Sequence, residues 1–170
     1  MASFTGAPAK MGDMADDLHS HPVVVGWREW VGLPSIDVPW IKVKIDTGAR
    51  SSALHAYDVQ ELPEGRVRFT VHPWQDSDAD EIEVECAIHD RRVVRSSSGH
   101  TEERIVVLLE LVLAGRTIHA ETTLSNRDQM GFRMLVGREA LRQGFLVAPG
   151  SSFLGGRAPR EVRRRNRGRA

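Results

Sequence analysis

Trp40-Ile41-Lys42-Val43-Lys44-Ile45-Asp46-Thr47-Gly48-Ala49 alternates apolar and polar residues and then delivers an aspartate into a tight turn. A period of two is that of a β-strand with one buried face, so Ile41, Val43 and Ile45 point inward and Asp46 stands at the strand end. Hydrolysing an amide with carboxylates takes two of them, close enough to share one proton, so that one activates water while the other donates to the carbonyl oxygen. One Asp46 cannot do this alone. A two-fold dimer would supply the second carboxylate from the same position of a second copy, giving an Asp46/Asp46′ dyad without a second motif in the chain. Thr47 would then rigidify the turn through its hydroxyl, and Gly48 would let backbone approach the carboxylates closely.

The rest of the chain agrees with a β-domain. At 170 residues with 41% hydrophobic content, it has material for one domain with a core. Strict alternation returns in Val67, Phe69, Val71 and in Ile82, Val84, Cys86, Ile88, two strands expected to pair. The polar stretch Pro73 to Glu81 between them has no period and is expected to be a mobile hairpin tip. A second, central hairpin is expected from Arg104 to Ala114 and Thr117 to Leu124. One short helix begins near Gly137-Arg138 and stops at Gly144, and Phe145-Leu146-Val147 forms a last strand. No internal repeat is present, so the chain corresponds to one half of a two-lobed arrangement.

Composition sets the limits. No run reaches the roughly 18 uncharged apolar residues of a membrane span, and the first residues have neither a basic start nor an apolar signal core, so a cytoplasmic address is expected. Cys86 is the one cysteine, which excludes an internal disulfide and a cysteine-based zinc cluster. The net charge of zero hides an asymmetry: residues 157–170 hold seven arginines against the single acid Glu161. Residues 1–22 and 155–170 are expected to be disordered, with the folded domain spanning 23–154. Nucleic acid is not an expected partner apart from the Arg-rich tail, which could touch RNA or another polyanion or be a solvated tail without a specific partner.

Some ninety residues after Asp46 comes Met134-Leu135-Val136-Gly137-Arg138-Glu139-Ala140-Leu141, an apolar strand ending in Gly-Arg and entering a helix. Together the two segments resemble the retropepsin-like family, in which Asp-Thr-Gly-Ala is followed by a strand with an apolar-Gly-Arg ending and a short helix. The likeness is closest to a bacterial and archaeal branch labelled ATP-dependent zinc proteases. It is carried by Gly26-Trp27-Arg28-Glu29-Trp30-Val31-Gly32-Leu33-Pro34, by residues 44–56, by Arg95-Ser96-Ser97-Ser98-Gly99 and by Ser125-Asn126-Arg127-Asp128-Gln129-Met130. The resemblance implies a mainly β, closed barrel of retropepsin type with one short C-terminal helix, a homodimer, and Asp46 as catalytic carboxylate. That branch is associated with ATP-grasp ligases that add glutamate tails to proteins, which implies acidic peptides or protein tails as substrates.

Neither His-Glu-x-x-His nor a phosphate-cradling Gly-x-x-x-x-Gly-Lys-Ser/Thr loop is present, and no cofactor is expected. The seven histidines have no ligand spacing; His55 and His72 alone could join Asp46 in a three-ligand metal centre. Arg50, directly after Ala49, and Arg95, Arg104, Arg127 and Arg138 stand near motif positions, where guanidinium forks suit carboxylates. Pairing with Glu29, Glu102, Glu103, Asp128 or Glu139 is the competing role for all but Arg50. Ser97, Ser98 and Gly99 have the composition of a flap tip that donates hydrogen bonds to a peptide, or of an ordinary turn. Trp27, Trp30 and Trp40 suit core or dimer packing, whereas Trp74 in the polar stretch would cover a ligand. The expected substrate-binding set is therefore Ala49, Arg50, Ser97, Ser98 and Gly99. A peptide-binding adaptor that keeps the fold without turnover, and a metal-dependent hydrolase, are the competing functions.

Overall fold

A computed structural model describes residues 21–95, 99–128 and 130–169. The stretch that ends in Asp46 forms β3 (Val38–Asp46), nine residues with Val38, Ile41, Val43 and Ile45 buried. Its neighbours are β2 (Arg28–Leu33), antiparallel, and β11 (Met134–Gly137), parallel, with Gly137 opposite Asp46. β11 pairs in turn with β4 (Ser52–His55), and β4 with β10 (Arg116–Ser125). The long hairpin expected from the sequence is β9 (Thr101–Leu113) with β10, and β9 also pairs with β2. These six strands form a closed cycle of pairings, β3-β2-β9-β10-β4-β11, so the fold is mainly β and barrel-like. β8 (Asp90–Arg95) extends the hairpin beyond the ring.

Alternation fills the barrel. Ile41, Val43, Leu54, Leu109, Leu111, Leu113, Met134 and Val136 are all almost fully buried, and each belongs to a strand of the ring. A separate sheet of β5 (Tyr57–Leu62), β6 (Arg66–Val71) and β7 (Ile82–Ala87) is inserted after β4. Its β6–β7 pairing sets Phe69 opposite Val84 and Val71 opposite Ile82, as the period of two requires. Cys86 packs against the core from β7, and burial pushes its thiol pKa up. β1 (Val23–Gly26) runs parallel to β12 (Phe145–Ala148), and α1 (Arg138–Leu141) is the short helix after the Gly-Arg pair.

Two expectations are corrected here. The segment from 155 onward is not without structure: Ala158 is buried and α2 (Arg160–Arg165) follows, so the fold has a second helix and the domain does not stop at 154. Its anchor is Asn166, buried, whose Oδ1 accepts from Gln75 N at 3.0 Å while its carbonyl accepts from Asp76 N at 3.0 Å. Polar anchors of this kind leave no apolar period, so sequence pattern does not register them. The stretch 73–81 is likewise held: Asp78 takes His72 Nδ1 at 3.0 Å and Arg133 Nη2 at 2.9 Å, and Trp74 is buried with its Nε1 donating to Asp80. Trp74 is thus part of the packing that fixes this stretch. The expectation for residues 1–22 falls mainly on positions outside the described residues.

Glu29 joins the two ends of the domain. It is fully buried, and its carboxylate accepts from three backbone amides: Gly26 N (2.6 Å), Leu154 N (2.8 Å) and Gly155 N (3.2 Å). Among the described residues it serves the backbone and no arginine, which corrects the expected ion pair. Glu29→Ala would leave three buried or part-buried donors unanswered and is expected to cost about 3 kcal/mol, read as a lowered denaturant midpoint with an unchanged slope.

Candidate active site

At the end of β3 the chain turns back over its own aspartate. Asp46 Oδ1 accepts from Gly48 N at 3.1 Å and Ala49 N at 3.3 Å, and Oδ2 receives Lys44 Nζ at 3.1 Å. Lys44 is two residues earlier on the same face of the strand, which is why it reaches the carboxylate. Burial acts to raise the Asp46 pKa, but the Lys44 hydrogen bond and charge and the two amides outweigh it, leaving the group below the usual carboxylate range. The carboxyl is half-buried, and Thr47 and Gly48 are exposed.

The loop is braced from below by the Gly-Arg pair. A side chain at Gly137 would collide with the carbonyls of Ser51 and Arg50, so only glycine lets β11 pass this close. Gly137 N donates to Ser52 Oγ at 3.1 Å, Arg138 N to Ala49 O at 2.8 Å, and Glu139 N to Arg50 O at 3.0 Å. The Arg138 guanidinium completes the brace by donating to Thr47 O at 3.0 Å. The two motifs, far apart in sequence, are therefore one object, with α1 starting directly beneath the turn.

The expected binding residues divide. Ala49 belongs to the turn itself. Arg50 is exposed and lines a hollow of mixed charge with Arg92, His119, Glu121 and Glu139. Gly99 is exposed with a left-handed φ of 87° in the turn between β8 and β9, whereas Ser97 and Ser98 lie outside the described residues. Arg104, on β9, pairs with Glu102 at 3.0 Å. Arg127 is buried, gives its Nε to Phe132 O at 3.2 Å and takes part in no ion pair among the described residues. Burial and the charge of Arg104 lower its pKa, and the charge of Asp46 opposes them, so the Arg127 guanidinium stands within electrostatic reach of the Asp46 carboxylate.

His55 and His72 are not brought together with Asp46 as a three-ligand centre: no group of three or more His, Cys, Asp or Glu side chains able to hold a metal exists among the described residues. His55 is fully buried, and its Nδ1 accepts from Arg127 N at 2.6 Å. Tyr57 is wedged between the two imidazoles, with ring centroids 4.1 Å and 4.4 Å away. Sequence reasoning missed the Lys44 contact and the Arg138 brace. The alternation of Lys42, Lys44 and Asp46 on one strand face was the available signal for the first; the second is set by tertiary packing.

Over residues 24–158 the chain matches the family described as retropepsin-like aspartic endopeptidase RimB. The chain therefore belongs to this RimB-like, retropepsin-like family. Curated relatives include a probable alpha-L-glutamate ligase of Shewanella pealeana, 41% identical over 143 residues, and one of Parasynechococcus marenigrum, 42% identical over 137 residues. Those alignments cover 82% and 78% of this chain but 31% and 29% of the relatives, so it spans less than a third of their length. A crystal structure of a Legionella pneumophila protein of unknown function superposes with a TM-score of 0.67 at 25% identity, covering 78% of this chain and 98% of that one. No helix among the described residues is long and apolar enough to cross a membrane.

Because the folded pKa of Asp46 is depressed, the stability it contributes is present above its unfolded pKa and is lost as pH falls through the folded value. Lys44→Met removes the largest lowering contribution. It is expected to move the Asp46 titration upward toward or past the usual aspartate range, measured by carboxyl carbon NMR on the single chain; an unmoved titration would refute the assignment of that shift to Lys44.

Proposed function

We propose that this chain is one subunit of a homodimeric aspartic peptide hydrolase in which Asp46 and Asp46′ form the catalytic dyad, with acidic, glutamate-rich peptides or protein tails as substrates. The observation that carries it is the Asp46 carboxylate, presented at a strand end on a turn fixed by two amides and by the Gly137-Arg138 brace. Preorganisation of this kind suits chemistry that requires two carboxyls at a set distance. In the dyad one proton is shared. The ionised carboxylate takes a proton from water as that water attacks the peptide carbonyl, and the protonated one gives its proton to the carbonyl oxygen. The resulting diol collapses with proton transfer to the leaving amine, and the pair returns to its singly protonated state.

Two features support an acidic substrate. Lys44, bonded to the carboxylate, and Arg127, within electrostatic reach of it, set positive charge beside Asp46 that would draw in carboxylates. The curated relatives carry names that refer to glutamate ligation, and a hydrolase fused to or acting beside such chemistry would meet glutamate-rich chains. Ala49 and Arg50, which follow the turn, and Gly99 with its neighbouring serines would contact the bound peptide.

The Lys44 ion pair is also what supports the competing reading, a peptide-binding adaptor, because a carboxylate held ionised does not readily share a proton. Turnover separates the two. Wild type is expected to cleave glutamate-rich peptides, with activity insensitive to chelator, and Asp46→Asn to lose about 10² to 10⁴-fold in kcat while still binding peptide. Equal cleavage by the variant would sink the dyad, and peptide binding without cleavage by either protein would leave the adaptor. Sedimentation of the active species as a dimer is part of the same expectation.

A further inference from the structure

On β2 and β3, Arg28 stands opposite Lys44 and Trp30 opposite Lys42, so these four residues share one face of the sheet with Asp46 at its end. The C-terminal segment folds over this face. Together they enclose a hollow of about 200 Å³ whose wall carries five cations: Arg28, Lys42, Arg157, Arg163 and Arg167. None of the five takes part in an ion pair among the described residues. Arg28 spends its Nε on Ser152 Oγ at 3.1 Å, and the Nε of Arg163 is buried without a hydrogen-bond partner.

Like charges gathered in one hollow repel each other, a smaller contribution at Lys42 than burial. Burial lowers its pKa and Arg28 and Arg167 lower it further, with Asp76 as the one acid opposing them. The tail is held here by the two bonds that Asn166 accepts from the amides of residues 75 and 76 and by the Arg165–Asp80 pair at 3.5 Å, neither of which uses the five cations. An arrangement that assembles five guanidinium and ammonium groups around one hollow, with none of them in an ion pair among the described residues and Asp76 as the one acid acting on Lys42, keeps an excess of positive charge able to take an anion from outside.

We propose that this hollow is an exosite for the carboxylates of an acidic peptide. Lys42, Lys44 and Asp46 alternate on one strand, which sets the hollow about 14 Å from the catalytic carboxylate, a distance that an extended peptide crosses in about four residues. Choosing peptide carboxylates as the ligand rests on the function proposed above. Nucleic acid fits the hollow less well. Its aromatic faces are already covered, Trp30 by Phe153 in a stack at 6.4 Å and Phe153 by Arg28 and Arg157 at 5.2 and 5.7 Å, so no platform remains for a base. The chain as a whole has zero net charge and a pI near 7.1, without the broad basic footprint of a nucleic-acid binder.

The test is binding of a labelled oligoglutamate peptide, an RNA oligonucleotide and inorganic phosphate to the full chain carrying Asp46→Asn, which prevents turnover. Adding Arg163→Gln with Arg167→Gln is expected to weaken oligoglutamate binding about tenfold and to reduce its salt dependence, while Arg163→Lys restores most of it. Asn166→Ala, which undocks the tail without removing a charge, is expected to weaken it similarly, and Arg66→Gln on β6 to leave it unchanged. Unaltered oligoglutamate affinity in both the double variant and Asn166→Ala would overturn the exosite, as would RNA or phosphate binding more tightly at these residues. If no peptide is ever cleaved but the charge-dependent oligoglutamate binding stands, the hydrolase reading fails and the exosite survives. If cleavage depends on Asp46 but not on these arginines, the exosite alone fails.

Discussion

The close passage of β11 beneath the turn after β3 is the contact on which the site depends. Gly137 lies opposite Asp46 in a parallel pairing and against the carbonyls of Arg50 and Ser51, and any side chain there would push the two segments apart. Parallel strands need a long crossover, and here the crossover is most of the domain: the inserted sheet, the long hairpin and the return through β4 all lie between them. The position of one carboxylate is therefore coupled to the closure of the whole barrel. Arg138 makes the coupling tight because it leaves the same strand end and reaches back to Thr47 O.

Two carboxylates in this protein are answered mainly by backbone amides, to different ends. Glu29 is fully buried and its three donors come from both ends of the fold, so it behaves as a fastener. Asp46 receives two amides from its own turn and keeps its outer edge open, so the same kind of hydrogen bonding orients the group without enclosing it. Lys44 adds a charge that favours the ionised form. A second carboxylate brought alongside would act in the opposite direction, and the balance between the two would decide which protonation state the pair adopts.

Much of the fold was legible in its strands: β3 and β10 of the barrel and β6 and β7 of the inserted sheet appear as alternation, β9 as a nearly continuous apolar run, and the two motifs that meet at Asp46 are each short and continuous in sequence. The glycine after Asp46-Thr47 could be read as a place where backbone comes close, whereas the need for Gly137 is set by the carbonyls of Ser51 and Arg50, which only the fold brings there. What stayed hidden is held by polar contacts between distant residues. Asn166 against 75 and 76, Glu29 against 154 and 155, and Asp78 between His72 and Arg133 have no periodic trace, and a tail rich in arginine reads as solvated until such an anchor is seen. His55 likewise offered itself as a ligand in sequence, yet its Nδ1 serves the Arg127 amide.

The outermost strand of the large sheet, β8, has β9 as its one strand partner among the described residues, which leaves its other row of backbone groups at the sheet edge. Its sequence, Asp90-Arg91-Arg92-Val93-Val94-Arg95, is two valines fenced by charge, with Arg91 tied to Glu61 of the inserted sheet and Arg92 to Asp90 and Glu121. Charged side chains on an open edge are a standard defence against chain-to-chain strand addition. Val93 is exposed on that edge, so loss of those arginines would open it to strand addition and would be felt first as aggregation at high concentration, before any change in the barrel itself.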